Sequence, residues 1–333
     1  MPAVDLLVGR VRKGGDDDTL TRQPSYPFRS ERAKAEYEAY SLERAKAWPV
    51  PAETMFLETP SGRTFVRMSG RATDPPLVLL PGARVSSLMW TDTIAALSAR
   101  HRTYALDIIG DAGFSVSRGE ISKPEDFVDW LDEVLTVLVP GRPLSLMGIS
   151  LGGSIAAQYA VRSPGRLRSV VLLAPAATVL PFAFGFFVRF TFLSLPILAL
   201  GRSPLRRTCR WLFEDAVRGD DACRARVEQA MDDAQRVVRV FALRPPPWPP
   251  VLPDEAWQDF QVPCLFLVGE NEKIYSAEAA VRRLNRVAPQ VKAEIILGAG
   301  HDLTLVHPDL VTRKVLQFLT EREGMTAAVV EEQ

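Results

Sequence analysis

Cysteine and histidine are scarce, with three of each in 333 residues. Cys209, Cys223 and Cys264 are odd in number and widely spaced, which excludes a disulfide framework and a zinc-ligand pattern alike. A reducing compartment is the simpler setting. Net charge is missing too: forty basic side chains offset forty acidic ones. No summed field then favours nucleic acid or an anionic membrane as a partner. No secretory signal is apparent, because Met1 to Leu20 carries only a short apolar run ahead of Arg10, Arg12 and Lys13, whereas a signal places basic residues first. The expectation is a cytoplasmic protein with a loose N-terminal tail. The chain also lacks GxxxxGK[ST], GxGxxG after a strand, HExxH and CxxC. No cofactor and no metal are expected. What is present, 47% hydrophobic and 24% charged residues, suits a folded chain with a sizeable core.

One segment tests that picture. Val179 to Gly201, VLPFAFGFFVRFTFLSLPILALG, approaches the length of a membrane span. Arg189 at its centre and the interruptions at Pro181 and Pro196 disfavour a spanning helix.

From residue 54 the pattern alternates short apolar runs with helical ones. Thr54 to Thr59 and Thr64 to Ser69 predict a hairpin across Pro60-Ser61-Gly62-Arg63. Leu77 to Leu80 is continuous enough to be a central strand. A helix from Ser87 to Ala99 and a strand from Thr103 to Leu106 follow. Pro124 to Val139 then repeats Phe127, Leu131, Val134, Leu135 and Leu138 at helical spacing. Strand 144–149, helix 155–162 and strand 170–173 continue the alternation. About ninety residues rich in Phe, Leu, Pro and Arg interrupt it before the run Pro263 to Val268, a gap too long for a loop and therefore an inserted subdomain. Helix 277–287, strand 293–297 and a helix from Pro308 to about Leu319 close the chain, and Ser30 to Trp48 reads as a leading helix packed on the sheet edge. The fold class is α/β, a doubly wound, mostly parallel sheet whose ligands sit at the carboxyl ends of the strands.

Gly148-Ile149-Ser150-Leu151-Gly152 is Gly-x-Ser-x-Gly at a predicted strand-to-helix corner. A nucleophile there needs a sharp turn that flanking glycines permit, and the N–H of Leu151 at the new helix's positive end faces a developing oxyanion. Ile149 reads as a buried elbow residue. A serine needs a base. His101, just before a strand, is expected at the surface away from the elbow. His307 precedes Pro308 and reads as a capping or packing residue. His301, in Gly298-Ala299-Gly300-His301-Asp302, follows the last strand and is the candidate base. The orienting acid is sought after Val268, in Gly269-Glu270-Asn271-Glu272-Lys273-Ile274, where both Glu270 and Glu272 qualify.

The chain resembles an α/β-hydrolase of the bacterial carboxylesterase type from about Phe28 to Leu319. The resemblance is carried by Tyr37-x-x-Tyr40 with Trp48-Pro49-Val50-Pro51, by Leu79-Leu80-Pro81-Gly82, by Ala105-Leu106-Asp107-Ile108-Ile109-Gly110-Asp111, by the elbow GISLGG, and by GENEKIY. It implies the order Ser150, acid, His301, with the acid at the third residue after the glycine, Glu272. It also implies a second oxyanion donor, the N–H of Ala83, although this chain has Pro81-Gly82-Ala83-Arg84 where related hydrolases commonly have His-Gly. Arg84 either meets an anionic substrate group or points to solvent.

The expected organisation is a tail at 1–27, an α/β-hydrolase core at 28–175 and 261–322, a helical cap at 176–260 inserted after the sixth strand, and a C-terminal tail at 323–333. The expected activity is that of a serine hydrolase acting through an acyl-enzyme on an ester or thioester of a mainly apolar small molecule, with Phe186 and Phe187 among the cap rings that meet the apolar part. The same residues serve acyl transfer, cyclisation or carbon–carbon bond hydrolysis. The same fold also serves as a non-catalytic small-molecule binder.

Overall fold

The computed structural model describes residues 27–194, 202–242 and 244–331. The expected N-terminal tail lies outside them, apart from Pro27. Two compact units emerge. One comprises the described residues up to Leu144 with Arg236–Trp248, and the other Ser145–Gln235 with Pro249 onward.

The first unit begins with helix α1 (Glu31–Ala45), capped by Ser30 Oγ, which accepts the N–H of Ala33. Its strands β1 (Glu53–Thr59), β2 (Gly62–Ser69), β3 (Pro76–Leu80), β4 (Arg102–Leu106) and β5 (Val116–Ser117) lie in the order β1-β2-β4-β3, with β5 beside β2. The hairpin β1–β2 pairs Thr59 with Gly62, and β3 runs parallel to β4. Gly62 is indispensable to this turn, since its φ is +147° and a Cβ there would meet the Val116 carbonyl oxygen at 2.2 Å. The helix expected over 87–99 is split. A 3-10 turn (Ser87–Asp92) and the short α2 (Ile94–Ser98) meet at Thr93. Asp107 Oδ1 accepts the Ser87 N–H at 2.7 Å and fixes where the first turn starts.

His101 is not at the surface as expected but fully buried. The turn after α2 folds beneath Gly70, where a Cβ would come within 2.1 Å of the His101 carbonyl oxygen, and the ring Nδ1 sits 3.2 Å from the Leu97 carbonyl oxygen. A residue just before a strand on the edge away from the elbow can still be sealed by the neighbouring connection. The leading helix is held by Tyr37, whose ring packs 4.7 Å from Phe241 and 5.6 Å from Phe28, while Arg236 stacks over Tyr40 at 4.3 Å.

Helix α3 (Pro124–Leu138) buries Phe127, Leu131, Val134 and Leu135, the stripe read from its spacing, and adds Trp130. Trp130 Nε1 donates to Thr64 Oγ1 at 2.8 Å with both residues fully buried.

The second unit holds β6 (Leu144–Ile149, whose first residue closes the other unit), α4 (Leu151–Arg162), β7 (Leu167–Leu173), α5 (Phe184–Ser194), α6 (Arg202–Leu212), α7 (Glu214–Arg218), α8 (Asp221–Val240, whose last turns belong to the first unit), α9 (Asp254–Gln258), β8 (Cys264–Gly269), α10 (Ala277–Val287), β9 (Lys292–Ile296), α11 (Leu303–Val306) and α12 (Pro308–Glu331). Its strands are ordered β6-β7-β8-β9, with β7, β8 and β9 parallel. Every residue of β6 and β8 is buried; β8 reads as a continuous apolar run, while β6 carries Ser145, whose hydroxyl lies 2.9 Å from that of Ser169. The insertion follows β7, the seventh strand rather than the sixth, because two-residue β5 has no pattern by which to be read. The last helix continues to Glu331, into the expected C-terminal tail, since no proline follows Leu319 and the single Gly324 does not interrupt it.

Among the described residues no helix is long and apolar enough to cross a membrane. Residues 195–201 of the Phe-rich segment, and the side chains of Phe190 and Phe192, lie outside the description.

Trp130→Phe should lower stability by about 1–3 kcal/mol, because it strands the buried Thr64 hydroxyl. Urea denaturation would register this as a lower midpoint at unchanged slope.

Candidate active site

Four strand ends are pinned side by side. The Ser150 N–H donates to the Leu173 carbonyl at 3.0 Å, Ala174 N–H to Leu267 at 2.8 Å, Glu270 N–H to Ile296 at 2.9 Å and Asn271 N–H to Ala299 at 2.9 Å. The loops carrying Ser150, Glu272 and His301 therefore leave one edge of the β6-β7-β8-β9 array.

At the β6–α4 corner Ser150 has φ +52° and ψ −116°, a conformation unfavourable for any residue with a Cβ. It is held there from both sides. Its N–H is engaged by Leu173, and its carbonyl accepts from Ser154 and Ala176, both at 3.0 Å. Gly148 is required because a Cβ would meet the Gly152 carbonyl oxygen at 2.2 Å. Ile149 and Leu151 are buried on either side, as expected of Ile149. The Leu151 N–H opens α4, where unsatisfied N–H groups and the helix dipole favour negative charge.

The acid loop and the histidine loop meet. His301 Nδ1 lies 2.9 Å from Glu272 Oε2, with the imidazole nearly buried and the carboxylate fully so. A carboxylate can only accept, so the proton resides on Nδ1 and Nε2 is left as the acceptor. The other oxygen of Glu272, Oε1, accepts the N–H groups of Lys273 at 2.8 Å and Ile274 at 2.9 Å. Glu270, the alternative acid, faces elsewhere, with Oε2 accepting the Gly298 N–H at 2.9 Å. His307 is half-buried and its carbonyl accepts the Val311 N–H in the first turn of α12, a capping position.

Burial by itself pushes the His301 imidazolium toward losing its proton, but the charge and hydrogen bond of Glu272, with the charge of Asp302, outweigh it and hold the pKa above the ordinary histidine value. Tyr275, from the same GENEKIY stretch, is buried, with its phenol pushed well up by desolvation and then by the Glu272 charge.

The remaining expected residues are placed as follows. Ala83 is exposed in the loop after β3. Arg84, at φ +63°, donates its N–H to Asp111 Oδ2 at 3.0 Å. Its guanidinium pairs with Asp111 at 3.6 Å and donates to the Arg244 carbonyl at 2.6 Å. The side chain is tied within the chain rather than pointing to solvent, because Asp111 is buried and needs a cation: desolvation raises its pKa while Arg84 opposes that shift. Phe186 is buried, stacked between Phe182 at 5.5 Å and Trp211 at 6.0 Å, whereas Phe187 keeps 47% of its surface. Asp302 is a buried residue at the site for which the sequence offered no role. Its position directly after His301 was the only signal.

The profile of the Alpha/beta hydrolase family matches residues 77–314. The chain belongs to that family. This α/β-hydrolase is 32% identical over 307 residues to the uncharacterized carboxylesterase nap of Bacillus subtilis (strain 168), covering 91% of this chain and 98% of that protein. It is 31% identical over 290 residues to carboxylesterase YbfK of the same organism, covering 85% and 93%. Among solved structures, the naproxen esterase of Bacillus subtilis superposes with a TM-score of 0.77 at 31% identity, covering 87% of this chain and 99% of that one.

A titration of the His301 ring by NMR should give a midpoint above about 6.5. Because the folded value is the raised one, the stability this pair contributes is full below the unfolded value and is lost as pH rises through the folded value. Glu272→Gln should move the midpoint down, while Glu270→Gln should leave it in place.

Proposed function

We propose that the protein is a serine esterase that hydrolyses a small-molecule carboxylic ester through an acyl-enzyme, with Ser150 as nucleophile, His301 as general base and acid, and Glu272 as the orienting carboxylate. The observation that carries this reading is the buried Glu272–His301 contact of 2.9 Å on the strand edge that also presents Ser150 in a strained corner. The names of the two Bacillus relatives, both carboxylesterases, agree with it.

The steps assigned to the named groups are those of a serine hydrolase. Nε2 of His301 takes the hydroxyl proton as Ser150 Oγ attacks the ester carbonyl. The imidazolium that forms is stabilised by a carboxylate whose second oxygen is already engaged by two N–H groups, which holds Glu272 in place. The oxyanion is met by the Leu151 N–H at the start of α4. His301 then returns its proton to the departing alcohol, and the cycle repeats with water to release the acid.

A mainly apolar substrate is the companion expectation. Phe187, half exposed on α5, suits contact with it better than Phe186, which is consumed by its stack with Trp211.

Ser150→Ala should lower kcat on a short p-nitrophenyl ester by about 10⁴-fold or more and abolish labelling by a fluorophosphonate, with far-UV circular dichroism unchanged. Glu272→Gln should cost on the order of 10³- to 10⁴-fold in kcat. Retention of esterase activity in Ser150→Ala would remove the serine mechanism.

A further inference from the structure

We propose that α7, in the segment between β7 and β8, is a positioning strap for the Glu272–His301 pair, and that Asp302, on the histidine loop, is the residue through which it holds His301. The inference rests on the serine-esterase reading above and adds a role for residues outside the proposed triad.

Three consecutive residues at the start of α7 each grip a residue flanking one member of the pair. Glu214 pairs with the Lys273 ammonium. Asp215 Oδ1 accepts from Asn271 Nδ2 at 3.1 Å. The Ala216 N–H donates to Asp302 Oδ2 at 2.8 Å, across 86 residues of sequence. Both neighbours of Glu272 and the residue after His301 are therefore bound to one helical turn. Asp302 completes the join from within the histidine loop, its Oδ1 accepting the Gly300 N–H at 2.9 Å. Gly300 is equally constrained, because a Cβ would lie 2.9 Å from the Asn271 carbonyl oxygen and 3.2 Å from Asp215 Oδ2.

The strap also has an electrostatic side. Among the described residues the charged and titratable groups about the pair and its strap include Lys273 and Tyr275 on the acid loop, Glu214, Asp215 and Arg218 on α7, Arg189 on α5, and Asp302. Asp302 is 1% exposed and takes two backbone N–H groups. Such a carboxylate fixes two loops at once and leaves its charge beside the imidazole, where it raises the His301 pKa. Asparagine has nearly the same shape, but one of its ends donates, so it opposes one of the two N–H groups that Asp302 accepts. It also removes the charge.

The test compares Asp302→Asn and Asp215→Ala with wild type on a p-nitrophenyl ester, with rates normalised to active sites titrated by a fluorophosphonate. Asp302→Asn should lower kcat by about 10- to 100-fold with KM changed by less than about twofold, because the loops lose register while the binding surface is intact. The acid limb of its kcat/KM profile should move to lower pH. His301 must be neutral to accept the serine proton, and one of the charges that holds its proton on is gone. Asp215→Ala, at a partly exposed position, should lose kcat several-fold with KM unchanged.

An Asp302→Asn enzyme with wild-type kcat, or with lowered kcat per titrated site but an unmoved acid limb, would overturn the proposal. If Asp302→Asn does not fold, Asp215→Ala decides alone, and wild-type kcat there refutes the strap. Failure of the underlying esterase reading looks different, since wild type itself would then not be labelled by the fluorophosphonate.

Discussion

The conformation of Ser150 is the constraint on which the site depends. A residue with a Cβ at φ +52° costs of order 1–3 kcal/mol, and nothing in the serine side chain offsets that. The offset comes from the backbone around it. The hydrogen bonds to Leu173, Ser154 and Ala176 tie the corner to β7, to α4 and to the turn that follows β7, while Gly148 leaves room for the Gly152 carbonyl. The rigidity of β6 and β7, buried along nearly their whole length, is what makes the strained corner the low-energy one.

The same strand ends solve a second problem, how to bury carboxylates. Moving a carboxylate out of water is expensive unless its lone pairs are met. The side chain of Glu272 is fully buried and meets this condition with two N–H groups and an imidazole, whereas Asp302 meets it with two N–H groups from different segments. Each acid thereby organises backbone as well as carrying charge. A carboxylate that must be satisfied by N–H groups of two loops dictates where those loops lie.

The elements with long apolar periodicity were legible in the sequence. Strand 144–149 and helix 277–287 have the boundaries read from their patterns, and the hairpin at Pro60–Gly62 lies where Gly62 requires it. The elbow and the histidine loop were visible because glycine spacing reports backbone geometry directly. Features set by long-range contacts were not visible. His101 is buried by a turn near Gly70 some thirty residues earlier, β5 is two residues long, and the split at Thr93 answers to Asp107. The choice between Glu270 and Glu272 depended on resemblance, since both stand on one loop and only three-dimensional register sends one to Gly298 and the other to His301. Asp302 has no local signature, because its partner Ala216 contributes only a backbone N–H.

A common rule separates the acids that shape loops from the acid assigned to chemistry. Asp107 accepts from the N–H groups of Ser87 and Phe114, Asp111 from those of Arg84 and Ala112, and Asp302 from those of Ala216 and Gly300. In all three, desolvation raises the pKa and backbone hydrogen bonds oppose it. Glu272 begins in the same way, with one oxygen on two N–H groups, but its second oxygen is turned to a titratable ring. The extra methylene of glutamate makes the division possible, because the carboxylate can reach back to its own loop with one oxygen and still extend the other to the next. An aspartate at position 272 would have a shorter reach and could not keep both sets of contacts without moving the backbone. The residue type at this position is thus tied to the loop's own hydrogen bonds as much as to the histidine it faces.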